Sequence, residues 1–276
     1  LGKEEKNIKF LFFRKSDHKR YVRMLAEINR KVLQSPVAPL QSKYNLTKHV
    51  TSEVLKSAWL EGINHGLVDQ ATEVCENIFQ LVQKQAGLHS LLKQLKEMNP
   101  QEYDHSFLVA FFSCSLAKQF DWNSTVTTQA LTMASMFHDI GLTKLDQNIR
   151  GKKRDDLTTD EMTHYQQHSQ FSIELLEKNN TISRTILQII AQHHECIDGT
   201  GYPHRLKNNK ILMLSQVLIF VNEFADTMID ENLSPINSLK KILTNPLIFK
   251  KHNALIVEKF SHIFIDPDVL SKKRAG

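Results

Sequence analysis

From Tyr103 onward the apolar residues of this chain fall into successive segments of helical length, and histidines stand at the ends of several of them. "HSFLVAFFSCSLAKQF" (105–120), "TTQALTMASMFHDIG" (127–141), "TTDEMTHYQQHSQFSIELLEK" (158–178) and "TISRTILQIIAQHHE" (181–195) each space apolar side chains at helical intervals. "MLSQVLIFVNEFADTM", "INSLKKIL" and "ALIVEKFSHIF" continue the pattern to Phe264. Faces of this kind bury one another in an α bundle, so the expected class is mainly α. Thr158 and Glu161 have the spacing of a capping box, and Gly141 is expected to close its segment as a left-handed cap.

The first third of the chain reads differently. "IKFLFF" (Ile8 to Phe13) is the one clear early strand, with Ser16-Asp17 placed to cap the helix after it. A proline-containing loop from Ser35 to Ser42 precedes a helical region from about Thr51 to Glu97, interrupted near Gly62 to Gly66 and at Gly87. Asn99-Pro100 is the expected boundary. Residues 1–99 are then a smaller, mostly helical regulatory or dimerisation domain with a short strand element, and 100–276 the main helical domain.

The formal charge of +5 has a location: positions 1–99 hold 16 basic and 10 acidic residues, positions 100–276 hold 19 and 20. Much of the excess lies between Arg14 and Lys31, where Tyr21, Leu25, Ile28 and Val32 keep helical spacing, so a solvated face of an amphipathic helix is expected rather than a nucleic-acid surface. Lys152-Lys153-Arg154 reads as a solvated loop. Cys75, Cys114 and Cys196 form no CxxC pair, which argues against a disulfide framework or a cysteine zinc site. With no run of about 18 apolar residues and no signal-peptide order, a cytoplasmic protein is expected.

His105, His138, His164, His168, His193, His194 and His204 fall within 100 residues. His138-Asp139 ends the apolar run "LTMASMF", where an unpaired carboxylate would be costly to bury. A metal removes that cost. Neighbouring helix positions diverge by about 100°, so an HD pair approaches a metal from two directions. His193-His194 does the same from another helix end, and His168 adds an imidazole from a third. Such nitrogen-rich shells with a carboxylate suit iron, manganese or zinc.

The order His105, His138-Asp139, His168, His193-His194, then Asp198-Gly199-x-Gly201-Tyr202-Pro203 resembles the HD-GYP family, bacterial metal-dependent phosphodiesterases within the HD superfamily that hydrolyse cyclic di-GMP. The resemblance implies two divalent metals, iron foremost, bound by His105, His138, Asp139, His168, His193 and His194. It makes Asp139 the bridge, with Asp139 and His138 catalytic through a metal-bridging hydroxide. Aligned without a gap, Asn222 takes the place of the aspartate in the family's "VAD" segment, and His164 has no counterpart. Candidate substrate contacts are Lys144, Tyr202, His204 and Arg205, and the GYP loop is implied to meet a diguanylate cyclase (GGDEF) partner.

Three positions depart from the family. Leu142 replaces the lysine of HDIGK, Asn222 is neutral, and "DENLSPINS" (230–238) lacks the arginines that meet substrate phosphates. These departures raise a second expectation: a weak or inactive module that binds cyclic di-GMP, or its cyclase, without turnover. A homodimer fits either.

Overall fold

The computed structural model describes residues 14, 17–83, 104–120, 122 and 124–264. The expected strand at Ile8 to Phe13 and the boundary at Asn99-Pro100 lie outside them.

The described residues open with α1 (His18–Gln34), α2 (Leu40–Glu61) and α3 (His65–Gln83). In α1 the buried stripe is Val22, Leu25, Ala26, Asn29 and Leu33, one position round from the expected one: Ile28 is exposed, and Tyr21 and Val32 are half-buried. Arg20, Arg23, Arg30 and Lys31 lie on the solvated side as expected. Asp17 occupies the N-cap, but its side chain makes no capping bond.

The second helix starts at Leu40, well before the expected Thr51, so the proline loop is confined to the few residues ahead of it. The reason is chemical. Its buried face includes Thr47, Thr51 and Ser57, whose hydroxyls donate to the carbonyls four residues back, Lys43, Thr47 and Glu53. Internally satisfied hydroxyls fill a core face that apolar periodicity cannot reveal.

The main bundle follows: α4 (His105–Gln119), α5 (Thr125–Phe137), a 3-10 turn (Ile140–Lys144), α6 (Gln147–Arg150), α7 (Thr159–Tyr165), α8 (His168–Glu177) and α9 (Arg184–Ala191). It ends with α10 (Met213–Asp230), α11 (Pro235–Thr244), α12 (Pro246–Phe249) and α13 (Ala254–Ser261). Helix α4 is buried on every side from Phe107 to Ala117, which makes it the central rod. Phe112 meets Phe224 of α10 edge-on at 5.1 Å, and Phe224 meets Phe260 of α13 at 4.8 Å. Helix α3 packs on α4 and α5, and one apolar core runs from Val22 to Ile263. No helix among the described residues is long and apolar enough to cross a membrane, and none of these residues belongs to a sheet.

Two local devices aim the histidines. The expected single helix from 158 to 178 breaks after Tyr165, so His168 opens a new helix, while Thr158 and Glu161 form the capping box in full. Gly141 does not act as a left-handed cap: it lies inside the 3-10 turn, where a Cβ would meet the His168 carbonyl oxygen at 2.0 Å and the Ser172 nitrogen at 2.5 Å. Ser172 Oγ accepts from the Gly141 N–H at 2.8 Å and donates to the His138 carbonyl at 2.7 Å, latching the HD turn to α8.

The loop after His193-His194 is held by Glu195. Its fully buried carboxylate accepts the backbone N–H of His204 at 2.7 Å and of Leu206 at 2.8 Å. Gly201 lies so close beneath that a Cβ would sit 2.4 Å from the Cys196 nitrogen.

Gly141→Ala is expected to lower stability by about 3 kcal/mol, because only backbone movement can relieve the clash. Gly66→Ala, whose Cβ would meet Asn64 Oδ1 at an ordinary 3.5 Å, should be neutral or slightly stabilising; urea unfolding of the two variants checks both. Glu195→Gln turns one acceptor into a donor facing an N–H, with an expected loss of about 2 kcal/mol and faster amide exchange at His204 and Leu206.

Candidate metal centre

Three imidazoles are set by one repeated device. His138 follows the last turn of α5, His168 begins α8, and His193 follows α9. Each directs Nδ1 at the carbonyl three residues back: Ser135 at 2.7 Å, Tyr165 at 2.7 Å and Ile190 at 2.6 Å. A carbonyl only accepts, so Nδ1 carries the proton, and the neutral form of each ring has its Nε2 lone pair turned inward. All three rings are buried.

Those nitrogens converge. His168 Nε2 is 3.2 Å from His193 Nε2 and 3.0 Å from His194 Nε2, while His138 Nε2 is 3.3 Å from His105 Nε2. Asp139 lies between the two groups. Its Oδ1 is 3.2 Å from His168 Nε2 and 3.6 Å from His193 Nε2; its Oδ2 is 3.3 Å from His138 Nε2 and 3.8 Å from His105 Nε2. Asp139, His168, His193 and His194 thus form one group able to hold a cation, and His105, His138 and Asp139 a second.

The electrostatics suit a cation at each. Burial pushes the Asp139 carboxyl up, but His138 and the other facing imidazoles hold it well below the usual carboxylate range. Burial lowers His193 to about 4, and burial with its imidazole neighbours takes His194 well below the ordinary value. His138 moves the other way: burial lowers it, but the Asp139 carboxylate beside it raises it above the ordinary value. Neutral imidazoles at His193 and His194 beside an ionised carboxylate are the donor state that divalent metals require. Two bare lone pairs 3.2 Å apart repel, and the buried Asp139 Oδ1 accepts no hydrogen bond. A cation between these atoms satisfies all of them, and the nitrogen-rich set fits iron, manganese or zinc.

Asn222 joins the second group, with Oδ1 3.1 Å from His105 Nε2. Asp226, one turn further along α10, was not singled out by its sequence context. Its Oδ1 is 3.5 Å from His105 Nδ1, and its Oδ2 accepts from Arg154 Nη2 at 2.7 Å and from Asn222 Nδ2 at 3.4 Å. Arg154 is therefore no freely solvated loop residue; the ion pair with Asp226 turns it toward the cluster. The four-residue step from Asn222 to Asp226 was the available signal.

The remaining candidates divide. Tyr202 stacks on His194 with ring centroids 4.6 Å apart and planes 22° from parallel. His204 and Arg205 are exposed, tethered through the loop backbone, and Lys144 is exposed at the end of its turn. Leu142 packs beside Leu145, Ile149 and Tyr165 in a small satellite core. Half-buried His164 stays outside both groups.

Known proteins are similar to this chain. The HD domain family profile matches residues 82–245, more than half of the chain. The cyclic di-GMP phosphodiesterase PA4108 of Pseudomonas aeruginosa is 28% identical over 147 residues, which is 53% of this chain and 35% of that protein. The cyclic di-GMP phosphodiesterase of Thermotoga maritima is 28% identical over 141 residues, 50% of this chain and 38% of the other. The 3'3'-cGAMP-specific phosphodiesterase 3 of Vibrio cholerae is 23% identical over 210 residues, covering 72% and 43%. The chain thus spans well under half the length of these relatives. Bd1817, a HDG"Y"P protein from Bdellovibrio bacteriovorus, shares the fold with a TM-score of 0.71 at 17% identity, over 94% of this chain and 81% of that one. With the profile covering more than half of the chain, the chain belongs to the HD domain family.

Proposed function

We propose that this chain hydrolyses a phosphodiester bond of a cyclic dinucleotide, cyclic di-GMP foremost, at a centre for two divalent metals. The observation that carries the reading is the Asp139 carboxylate, set between two groups of inward Nε2 lone pairs. His105, His138 and Asn222 would hold one metal, His168, His193 and His194 the other, with Asp139 shared. Iron, with manganese or zinc as substitutes, would supply a water of lowered pKa and positive charge against the phosphoryl oxygens. The chain's own residues set the geometry: the carbonyls of Ser135, Tyr165 and Ile190 fix the ring tautomers, and Asp226 Oδ1 faces His105 Nδ1 at 3.5 Å. Tyr202 forms an aromatic wall on His194, positioned by the Glu195-clamped loop. The similarity to named phosphodiesterases supports the reaction class.

A second reading has an observation of its own. Leu142 is packed into a satellite core, and Asn222 is a neutral partner for His105. Both favour a module that binds the dinucleotide, or a diguanylate cyclase through the exposed Pro203 to Arg205, with little turnover. Residues 1–99 are read with either as a regulatory or dimerising unit, whose α3 reaches the site through α4.

Iron- or manganese-loaded protein is expected to convert cyclic di-GMP, with 3'3'-cGAMP as the competing substrate. Asp139→Ala should lose both metal and turnover, and a metal-replete variant that still cleaved would overturn the assignment. Calorimetric binding without product would select the second reading; cleavage of mononucleotides alone would reject both. Chelation should lower the unfolding free energy by about 3 kcal/mol at metal concentrations about 100-fold above Kd, and a melting temperature indifferent to chelator would count against the centre.

A further inference from the structure

We propose that Arg154 is the residue that receives a substrate phosphate at the mouth of the metal cluster. This rests on the phosphodiesterase reading for its substrate, but the side-chain geometry stands by itself.

Arg154 lies in the basic run between α6 and α7, and the three cations of that run go different ways. Lys152 pairs with Glu161 at 2.6 Å, Lys153 is exposed, and Arg154 turns inward to Asp226 at 2.7 Å. Asp226 in turn faces His105. The guanidinium carbon is 5.9 Å from the Tyr165 ring centre, and that ring is 5.0 Å from the His168 ring. Arg154 therefore borders both groups: through Asp226 it meets the side of His105, and across Tyr165 the side of His168. Its positive charge is felt at Asp139, His194 and Tyr202.

The pairing leaves capacity to spare. A guanidinium has five N–H donors in a planar fork matched to two oxygens of a phosphate. Asp226 takes Nη2, and the side chain is still 40% exposed. Burial disfavours the charge, but Asp226 more than offsets it, so the group is held cationic. The other candidates for this role stand differently: Leu142 is apolar and packed, and Lys144 and Arg205 are exposed with no ion pair to the cluster among the described residues. Among the described residues, Arg154 is the lysine or arginine tied directly to a side chain that touches the imidazole groups.

The alternative is a merely structural ion pair joining the 151–157 loop to α10. Calorimetry on the full manganese-loaded chain separates the two, with cyclic di-GMP and inorganic phosphate as probes and metal content measured on every sample. Arg154→Met is expected to weaken both probes about tenfold or more with metal content unchanged. Arg154→Lys, which keeps the charge without the fork and guards against misfolding of the first variant, should fall between. In turnover assays KM should rise more than kcat falls. Unchanged affinity in Arg154→Met, or a loss that only tracks lost metal, overturns the proposal. Wild-type protein that ignores cyclic di-GMP refutes the phosphodiesterase reading alone: phosphate binding lost in Arg154→Met still supports Arg154, and wild type that binds neither probe overturns it.

Discussion

An ionised carboxylate whose inner oxygen faces imidazole lone pairs is unstable packing unless positive charge comes between them. Asp139 imposes that condition on the bundle. Four separate segments must end or begin within a few ångströms of it: the start of α4, the end of α5, the start of α8 and the turn after α9. The local features of the fold follow from bringing those ends together. The break after Tyr165 makes His168 a helix start, Ser172 ties the HD turn to α8, and the buried Phe112, Phe224 and Phe260 hold the rods in place.

Rigidity comes chiefly from backbone acceptors rather than side-chain pairs. Ser135, Tyr165 and Ile190 are unrelated as residue types, yet each contributes the same carbonyl at the same step from its histidine. A helix end has carbonyls to spare, so placing a histidine there satisfies one of them and sets the ring's tautomer together. The ligand set is thus a property of where the helices stop.

Helix ends are also what makes such a site readable from sequence. The helical segments, the capping box at Thr158 and the grouping of His105, His138, His168, His193 and His194 could all be read from spacing and motif order, because each is a local pattern. What escaped was non-local or disguised. The early start of α2 is masked by Thr47, Thr51 and Ser57, polar residues that satisfy themselves inside a helix. Gly141 has the composition of a cap, but its necessity comes from the backbone of a different helix. Arg154 and Asp226 are 72 positions apart, and a basic triplet in a loop carries no mark of which member turns inward. Glu195 stands beside the histidine pair, but its role depends on a chain that returns nine residues later.

The Glu195 clamp grips only main-chain N–H groups, at His204 and Leu206. The clamp itself therefore makes no use of the side chains of His204 and Arg205, which are exposed. A recognition surface mounted this way can exchange its outward residues, and with them its binding preferences, while the buried histidines keep their positions.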